Sequence, residues 1–499
     1  MIAKTFSAVL DGIEPQIVEI ETGLLKGLTS FNIVGLADKS IGESRERLTL
    51  AIKSIKAKPP LKFNAKTIVN LAPGDIKKGG ALLDLAIAIS FLKASEQISF
   101  SGLDKVLFLG ELGLDGNLKK IQGVLPIILK ASKLGFKKFF IPAQNEFEIR
   151  FLKDAEIYSF ENLNEVVEFL EGIKIKPPIK SEKFNPKPLE IDLDFLKLPP
   201  HLWRALEIVG AGRHNLLLYG PPGTGKTLIG KALTHLLPPL NYEESLEITG
   251  IYSSCGELQD EFVFYPPFRN PHHTASPVSI LGGGSSPRPG EISLAHRGIL
   301  FLDELPEFRR DVLEGLREPL ENKEITISRA KRRLKIPTNF LFIGAYNPCP
   351  CGFYQDKEKE CSCSTSEIRR YQKKISGPIL DRLDIYLLVP RIEGEKIFKD
   401  NKIDLEKIKQ NILKLKVLQF NRQGKYNGEL SPKEMKIYCN AEKSAENILE
   451  KAVDNYKLSL RAVHKILKVG RTIADMENEK IINSKHIGEA IQYRFMQND

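Results

Sequence analysis

The run "GPPGTGKT" comprises Gly220, Pro221, Pro222, Gly223, Thr224, Gly225, Lys226 and Thr227, with the spacing G-x4-G-K-[ST]. It follows the apolar "LLLY" and precedes a helix-like stretch, which is the setting a phosphate-binding loop requires. Glycines let the backbone curl until its N–H groups converge on an anion. The helix that follows brings the positive end of its dipole to the same place. In such a P-loop the lysine, Lys226, reaches the β- and γ-phosphates, and the hydroxyl, Thr227, holds Mg²⁺. The chemistry is therefore binding of ATP with Mg²⁺.

Hydrolysis needs carboxylates as well, and "GILFLDELPEF" supplies two. Ile299 to Leu302 form a buried strand with Asp303 and Glu304 at its end. Asp303 is expected to position the Mg²⁺ shell, and Glu304 to polarise the attacking water as a base. "FLFIGAYNP" is a second buried strand, and its polar terminus, Asn347, is placed to touch the γ-phosphate or the water. "GPILDRLDIYLLVP" carries Arg382 flanked by acids. "LSLRAVHKIL" puts Arg461 in the first turn of a helix, with Ser459 as its N-cap. Two arginines in this order after a P-loop and an acidic strand point to an arginine finger and a second nucleotide sensor.

Four of the six cysteines lie together in "NPCPCGFYQDKEKECSC" as C-x-C-x9-C-x-C. Cys349, Cys351, Cys361 and Cys363 offer four soft thiolates, enough for a tetrahedral Zn²⁺. The C-x-C pairs are tighter than the usual C-x2-C, and Pro350 and Gly352 provide the first bend. Free thiols in a polar loop and a redox pair are the competing readings. The segment starts at the candidate sensor Asn347 and ends just before the stretch that carries Arg382. A structural clip between two nucleotide-reading parts fits that placement; a catalytic role does not.

The elements that must position these residues alternate between strand-like and helix-like patterns. In residues 1–172, "GLTSFNIVGL", "KTIVNLAP" and "KVLFLGEL" look like strands, and "ALLDLAIAISFLKAS" and "VLPIILKASKLG" like helices. Residues 173–195 are rich in Pro, Lys and acids and are expected to be a linker. Residues 196–392 resume the alternation, with the cysteine insertion at 349–363. From 393 to 499 the pattern is helical. The chain has 499 residues, 42% hydrophobic and 27% charged, an ordinary globular composition. The start has no signal-peptide pattern, and the longest apolar run, "ALLDLAIAISFL", is short and broken by Asp84, so no membrane span is expected. A cytoplasmic location follows, where cysteines stay reduced. The formal charge of +10 fits contact with nucleic-acid phosphates, and fits equally a lysine-rich composition with no polyanion partner.

The ordered set "GPPGTGKT", "ILFLDE", "AYNP", "LDRLD" and "LSLRAVHKIL" resembles an AAA+ ATPase. With "PFRNPHHTAS", "GGGSSPRPGEISLAHRGILFLDELPEF" and "SGPILDRLD" it resembles the YifB/ComM family of the magnesium-chelatase-like branch, over essentially the whole chain. The resemblance implies an α/β fold: a P-loop AAA+ core, an N-terminal Lon-protease-like α+β domain and a helical C-terminal lid. It implies a ring-shaped homo-hexamer driving a DNA motor, a helicase for branch migration during natural transformation. It also implies that Arg382 acts in trans on a neighbour's nucleotide, and that Arg461 is sensor 2, in cis or in trans. "ITISRAKRRLKIP" is similar to the hairpin of related helicases. Its cations Arg329, Lys331, Arg332 and Arg333 are candidates for gripping single-stranded or branched DNA by its phosphates; a solvated basic turn or a subunit contact is the alternative. His272 and His273 are expected to be loop residues near the pore or the nucleotide.

The front domain resembles the Lon fold without its dyad. Aligning "KKGG" on the Lon pattern places Ala81 at the serine position and Leu125 near the lysine position, so Lon-type proteolysis is not expected. The alternative to a DNA motor is a protein-remodelling or metal-insertion ATPase, as in magnesium chelatase itself, whose motor subunit lacks the front domain.

Overall fold

The computed structural model describes residues 2–35, 39–74, 81–100, 105–186, 196, 198–259, 261–284, 288–329, 332–356, 358–391 and 404–494. Two compact units emerge. The first holds residues 1–185, 245–263 and 286–288, and the second holds 186–244, 264–285 and 289–499.

The first unit is built on a seven-stranded mixed sheet. Its middle is a long antiparallel hairpin, Ile2–Asp11 against Glu14–Lys26, which the sequence pattern above does not single out. The signal for it is Asp11-Gly12: a two-residue turn closes between Asp11 and Glu14, with Gly12 at φ 66°. Ala65–Ala72 adds antiparallel to one side, and Val106–Phe108, Lys138–Pro142 and Glu156–Phe160 continue in parallel on the other. "ALLDLAIAISFLKAS" forms the helix Asp84–Ala94, nearly every residue of which is buried. A buried helix in a sheet-based core needs apolar residues nearly all round, and this one has them except at Asp84, Ser90 and, near its end, Lys93. One oxygen of Asp84, Oδ2, pairs with Arg47, 3.1 Å away.

Residues 245–263 lie, in sequence, inside the range expected for the ATPase core, yet they belong to the first unit. The reason is a buried polar site. Glu148 accepts from the Ser253 hydroxyl at 2.6 Å and from the Leu125 N–H at 3.3 Å, and Asn145 donates to it at 2.7 Å. A buried carboxylate requires such partners, and Ser253 supplies one of them. Leu125 itself is fully buried in the helix Val124–Lys133, and Ala81 opens a short 3-10 turn. The "KKGG" stretch before Ala81 lies outside the described residues.

The second unit carries a five-stranded parallel sheet in the order Phe268–Arg269, Ile299–Leu302, Leu341–Tyr346, Leu216–Tyr219, Ile385–Leu388. The three central strands are buried throughout, as expected of parallel strands covered on both faces. The first strand in chain order, Leu216–Tyr219, sits between the fourth and the fifth. Strand order thus reverses beside it, and ligands in open parallel sheets bind at such a point, outside the carboxyl ends of the strands.

Helices Leu405–Gln423, Pro432–Tyr438, Lys443–Tyr456, Leu460–Met476 and Ser484–Gln492 complete this unit. Their apolar faces share one buried core with the parallel sheet. Of the expected linker, residues 173–186 form no regular element and 187–195 lie outside the described residues, as does the 392/393 boundary. Among the described residues no helix is long and apolar enough to cross a membrane.

Candidate active site

Three loops leave the carboxyl ends of adjacent strands and bring the expected residues together. After Leu216–Tyr219 the P-loop turns at Gly220, where a Cβ would lie 2.3 Å from the Val389 carbonyl oxygen, so no larger residue fits. Gly225 (φ 80°) takes a left-handed conformation that lets the helix Lys226–Leu236 begin directly at Lys226. Thr224 closes the loop by donating to the Pro221 carbonyl at 3.0 Å.

The Lys226 ammonium donates to the carbonyls of Gly220 (2.9 Å) and Pro221 (2.8 Å) and to Asn347 Oδ1 (3.0 Å). Burial pushes its pKa down to about 8, against the pull of the Asp303 charge. The Thr227 hydroxyl donates to Asp303 Oδ2 at 2.6 Å. The two residues expected to share Mg²⁺ are thus already in contact, and a hydroxyl beside a carboxylate is a suitable hard-oxygen donor set for it. The P-loop, Asp303 and Asn347 form one cluster.

Glu304 adjoins this cluster. It sits at φ 50°, in a left-handed conformation uncommon outside glycine, and its N–H donates to Asp303 Oδ1 at 2.9 Å. Its carboxylate reaches His273 Nδ1 at 3.2 Å. His273 stacks on His272, with ring centroids 4.2 Å apart, and His272 Nδ1 lies 2.8 Å from the Thr274 hydroxyl. The histidine pair therefore reaches the expected base, a partner that sequence spacing alone does not reveal.

Arg382 and Arg461 form a second cluster. Arg382 donates to Glu321 at 2.5 Å and to the Pro378 carbonyl at 2.6 Å, and its side chain is only 12% exposed. Arg461 is 61% exposed and lies 3.9 Å from Glu321 and 3.8 Å from Asp381. Ser459 caps the helix Leu460–Met476 by accepting from the Ala462 N–H, as expected. The side-chain contacts described for these two arginines are with Glu321, Asp381 and Pro378; none is with the P-loop.

Asp384, in the same "LDRLD" stretch, does the positioning. It accepts from the Asn215 N–H at 2.8 Å and pairs with Lys465 at 2.5 Å. The segment that carries Arg382 is thereby tied both to the P-loop strand and to the helix of Arg461. The signal was the acid following Arg382, but neither Asn215 nor Lys465 is near it in sequence.

The basic segment forms an antiparallel hairpin, Glu324–Arg329 with Arg332–Pro337, in which Arg329 and Arg332 are register partners. Arg333 is exposed, while Lys331 lies outside the described residues. A second basic face is not singled out by the motif pattern: Arg369, Arg370 and Lys373 are exposed on and just after the helix Thr365–Gln372. "EIRRYQKK" was its signal.

The four cysteine sulfurs all lie within 4.8 Å of one another. Cys349 Sγ is 3.3 Å from Cys351 Sγ and 3.6 Å from Cys361 Sγ, and Cys351 Sγ is 3.5 Å from Cys361 Sγ. The cluster has the ligand number and compactness of a tetrahedral metal site.

Family models match all three parts of the chain. "Magnesium chelatase, subunit ChlI" matches residues 192–397, "Subunit ChlI of Mg-chelatase" matches 20–145, and "Magnesium chelatase, subunit ChlI C-terminal" matches 403–494. The competence protein ComM of Haemophilus influenzae is 39% identical, over 99% of this chain and 98% of its own. The chain belongs to the YifB/ComM family. A second member, the uncharacterised protein YifB of Escherichia coli, is 38% identical over 97% of this chain and 95% of its own. A more distant likeness, 27% identity over 34% of this chain, is to Lon protease 2 of Bacillus subtilis. Membership makes the chain a magnesium-chelatase-like AAA+ ATPase, and ATP with Mg²⁺ are the ligands that its P-loop, Thr227 and Asp303 fit.

Proposed function

We propose that this chain is an ATP-driven DNA motor acting in branch migration of incoming single-stranded DNA during natural transformation and recombination, in the cytoplasm. What carries the reading is the end-to-end likeness to a competence protein together with an intact hydrolytic cluster. Lys226 holds the phosphates, Thr227 and Asp303 hold Mg²⁺, Glu304 aligns the water, and Asn347 reports the γ-phosphate. Arg382 completes the site of a neighbouring subunit in a homo-hexamer, and Arg461 serves as sensor 2. The hairpin bearing Arg329, Lys331, Arg332 and Arg333 grips the DNA backbone. Zn²⁺ at Cys349, Cys351, Cys361 and Cys363 is a structural ion.

Bound Mg²⁺ would supply charge neutralisation between the phosphates. The protein's own part is to place donors, exclude competing geometries and hold Glu304 until the water is aligned. A remodelling or metal-insertion ATPase is the second reading, favoured by the magnesium-chelatase description of all three family matches. Branch-migration and fork-unwinding assays decide between them, with wild type beside Lys226→Ala and Glu304→Gln. The motor reading expects DNA-stimulated ATP turnover and strand exchange in wild type alone. Turnover indifferent to single-stranded and forked DNA at moderate salt, or equal activity in all three proteins, would sink it.

A further inference from the structure

We propose that the zinc knuckle is a brace on the P-loop, so that Zn²⁺ binding and nucleotide binding are energetically coupled. The inference rests on zinc occupying the four thiolates and deepens that reading.

The sulfur geometry comes first. Sulfurs at the corners of a tetrahedron about 2.3 Å from zinc lie about 3.8 Å apart. The separations of 3.3, 3.5 and 3.6 Å approach that spacing. Disulfide-bonded sulfurs lie only about 2.05 Å apart. Two backbone N–H groups already point at sulfur: Tyr354 donates to Cys349 Sγ at 3.3 Å and Cys351 to Cys363 Sγ at 3.4 Å. Such donors stabilise thiolates and orient them as ligands.

The knuckle is anchored at its start and in its middle. Gln372 donates to the Pro348 carbonyl at 3.1 Å. Arg391, just past the last strand of the sheet, pairs with Asp356 at 3.3 Å and lies over the Phe353 ring at 5.2 Å. Between these anchors, Gly352 lies against the P-loop. It has φ 84°, and a Cβ there would stand 2.6 Å from Pro222 Cδ and 3.0 Å from Pro222 Cγ. Gly352 directly follows the ligand Cys351, and Pro222 is the third residue of "GPPGTGKT". Asn347, two residues before the ligand Cys349, holds Lys226 at 3.0 Å. The metal site therefore fixes a turn that touches the phosphate loop from one side and the sensor that bonds its lysine from the other. Loss of the ion frees both supports, and the loop must then be ordered by the nucleotide itself, at a cost in affinity.

Coupling is reciprocal: whatever factor zinc adds to nucleotide affinity, nucleotide adds to zinc affinity. The test uses the full chain purified without chelator. Zinc and iron per chain are measured, and a fluorescent ADP analogue is titrated before and after a thiol reagent strips the metal. The expected results are one zinc per chain, ADP affinity about tenfold weaker once stripped, and zinc affinity higher by the same factor with ADP when read by chelator competition. Because stripping can unfold the knuckle outright, Gly352→Ala is the second arm: it is expected to keep its zinc and bind ADP about tenfold more weakly. No zinc, or iron in its place, overturns the zinc reading. Zinc present, with ADP affinity unchanged by stripping and in Gly352→Ala, overturns the brace and leaves the zinc. Wild type that binds zinc but no ADP overturns the brace together with the ATPase reading.

Discussion

His273 Nδ1 stands 3.2 Å from Glu304 Oε2, so the expected catalytic base is held by a loop that leaves the edge strand Phe268–Arg269. Glu304 has a left-handed backbone and a side chain 54% exposed, so little else restrains its carboxylate. The contact sets where the base rests between turnovers. His273→Ala is expected to raise ATP turnover without DNA by about threefold and to shrink the stimulation by DNA, a change within the reach of one charge-assisted hydrogen bond. Steady-state hydrolysis with and without single-stranded DNA checks it; an unchanged ratio would make the contact purely structural.

Binding and chemistry should separate between Lys226 and Glu304. Lys226→Ala removes the ammonium that bridges Gly220, Pro221 and Asn347. Nucleotide affinity should fall by roughly a hundredfold, the scale of a hydrogen bond to a charged group. Glu304→Gln leaves the cradle intact, so affinity should hold while single-turnover hydrolysis falls by about 10²–10⁴-fold, the share of a general base.

The affinity should also depend on pH in one direction. Burial holds free Lys226 down to about 8. Phosphate favours the ammonium, so binding draws a proton on wherever the free lysine has lost one. Below pH 8 the proton is already present and affinity is flat; above it, affinity falls by up to about tenfold per unit. Equilibrium titrations from pH 7 to 9.5 read the slope, and Lys226→Arg, charged throughout, should flatten it.

What the sequence made legible, and what it hid, follows from range. The P-loop, the acidic strand end and Asn347 are local patterns: an apolar run, then a polar terminus. Their assembly into one cluster follows from parallel strands ending on one edge. The capping of Arg461's helix by Ser459 is equally local. The hidden features are contacts between residues far apart in the chain. His273 finds Glu304, Arg382 finds Glu321, and Asp384 finds Asn215 and Lys465, with nothing in the spacing to announce any of them. The hairpin Ile2–Lys26 was hidden differently. Its strands mix Thr, Ser and Glu with apolar residues, because the sheet buries Thr5, Ser7 and Thr22, so only Asp11-Gly12 marks the turn. Within the first unit, Ser253 meets Glu148, another distant pair.

The helix that carries Arg461 is held by a buried charge cluster. Asp475 receives both Nη atoms of Arg422, at 2.6 and 2.9 Å, and Arg471 Nε at 3.1 Å, while Asn427 donates to it at 2.8 Å. Arg471 is 1% exposed. Asp475→Ala would leave buried guanidinium charge without its counter-ion, at a cost of about 3–5 kcal/mol. The expected reading is an early thermal transition by circular dichroism; an unshifted melting curve would refute the assignment.

Whether Arg382 acts across a subunit boundary is open to a mixing experiment. Its side chain is 12% exposed and paired with Glu321, so to reach a neighbour's γ-phosphate it must exchange that carboxylate for the phosphate. The exchange is electrostatically sensible, since both are anions and a phosphate offers bidentate acceptance. Lys226→Ala keeps Arg382 but binds nucleotide roughly a hundredfold more weakly; Arg382→Ala holds nucleotide but lacks the finger. Each alone should hydrolyse at least about a hundredfold more slowly than wild type, the low end for losing a transition-state charge contact. If the finger works in trans, mixing the two variants rebuilds complete sites wherever an Arg382→Ala subunit's nucleotide faces the intact arginine of a Lys226→Ala neighbour. Turnover should then rise well above the sum of the separate variants and peak near equal proportions. A mixture that only averages its components would place Arg382 in its own subunit's site or outside catalysis altogether. Glu321→Gln gives the matching control: it weakens the resting pair, frees the guanidinium, and should lower the protein concentration at which turnover becomes cooperative.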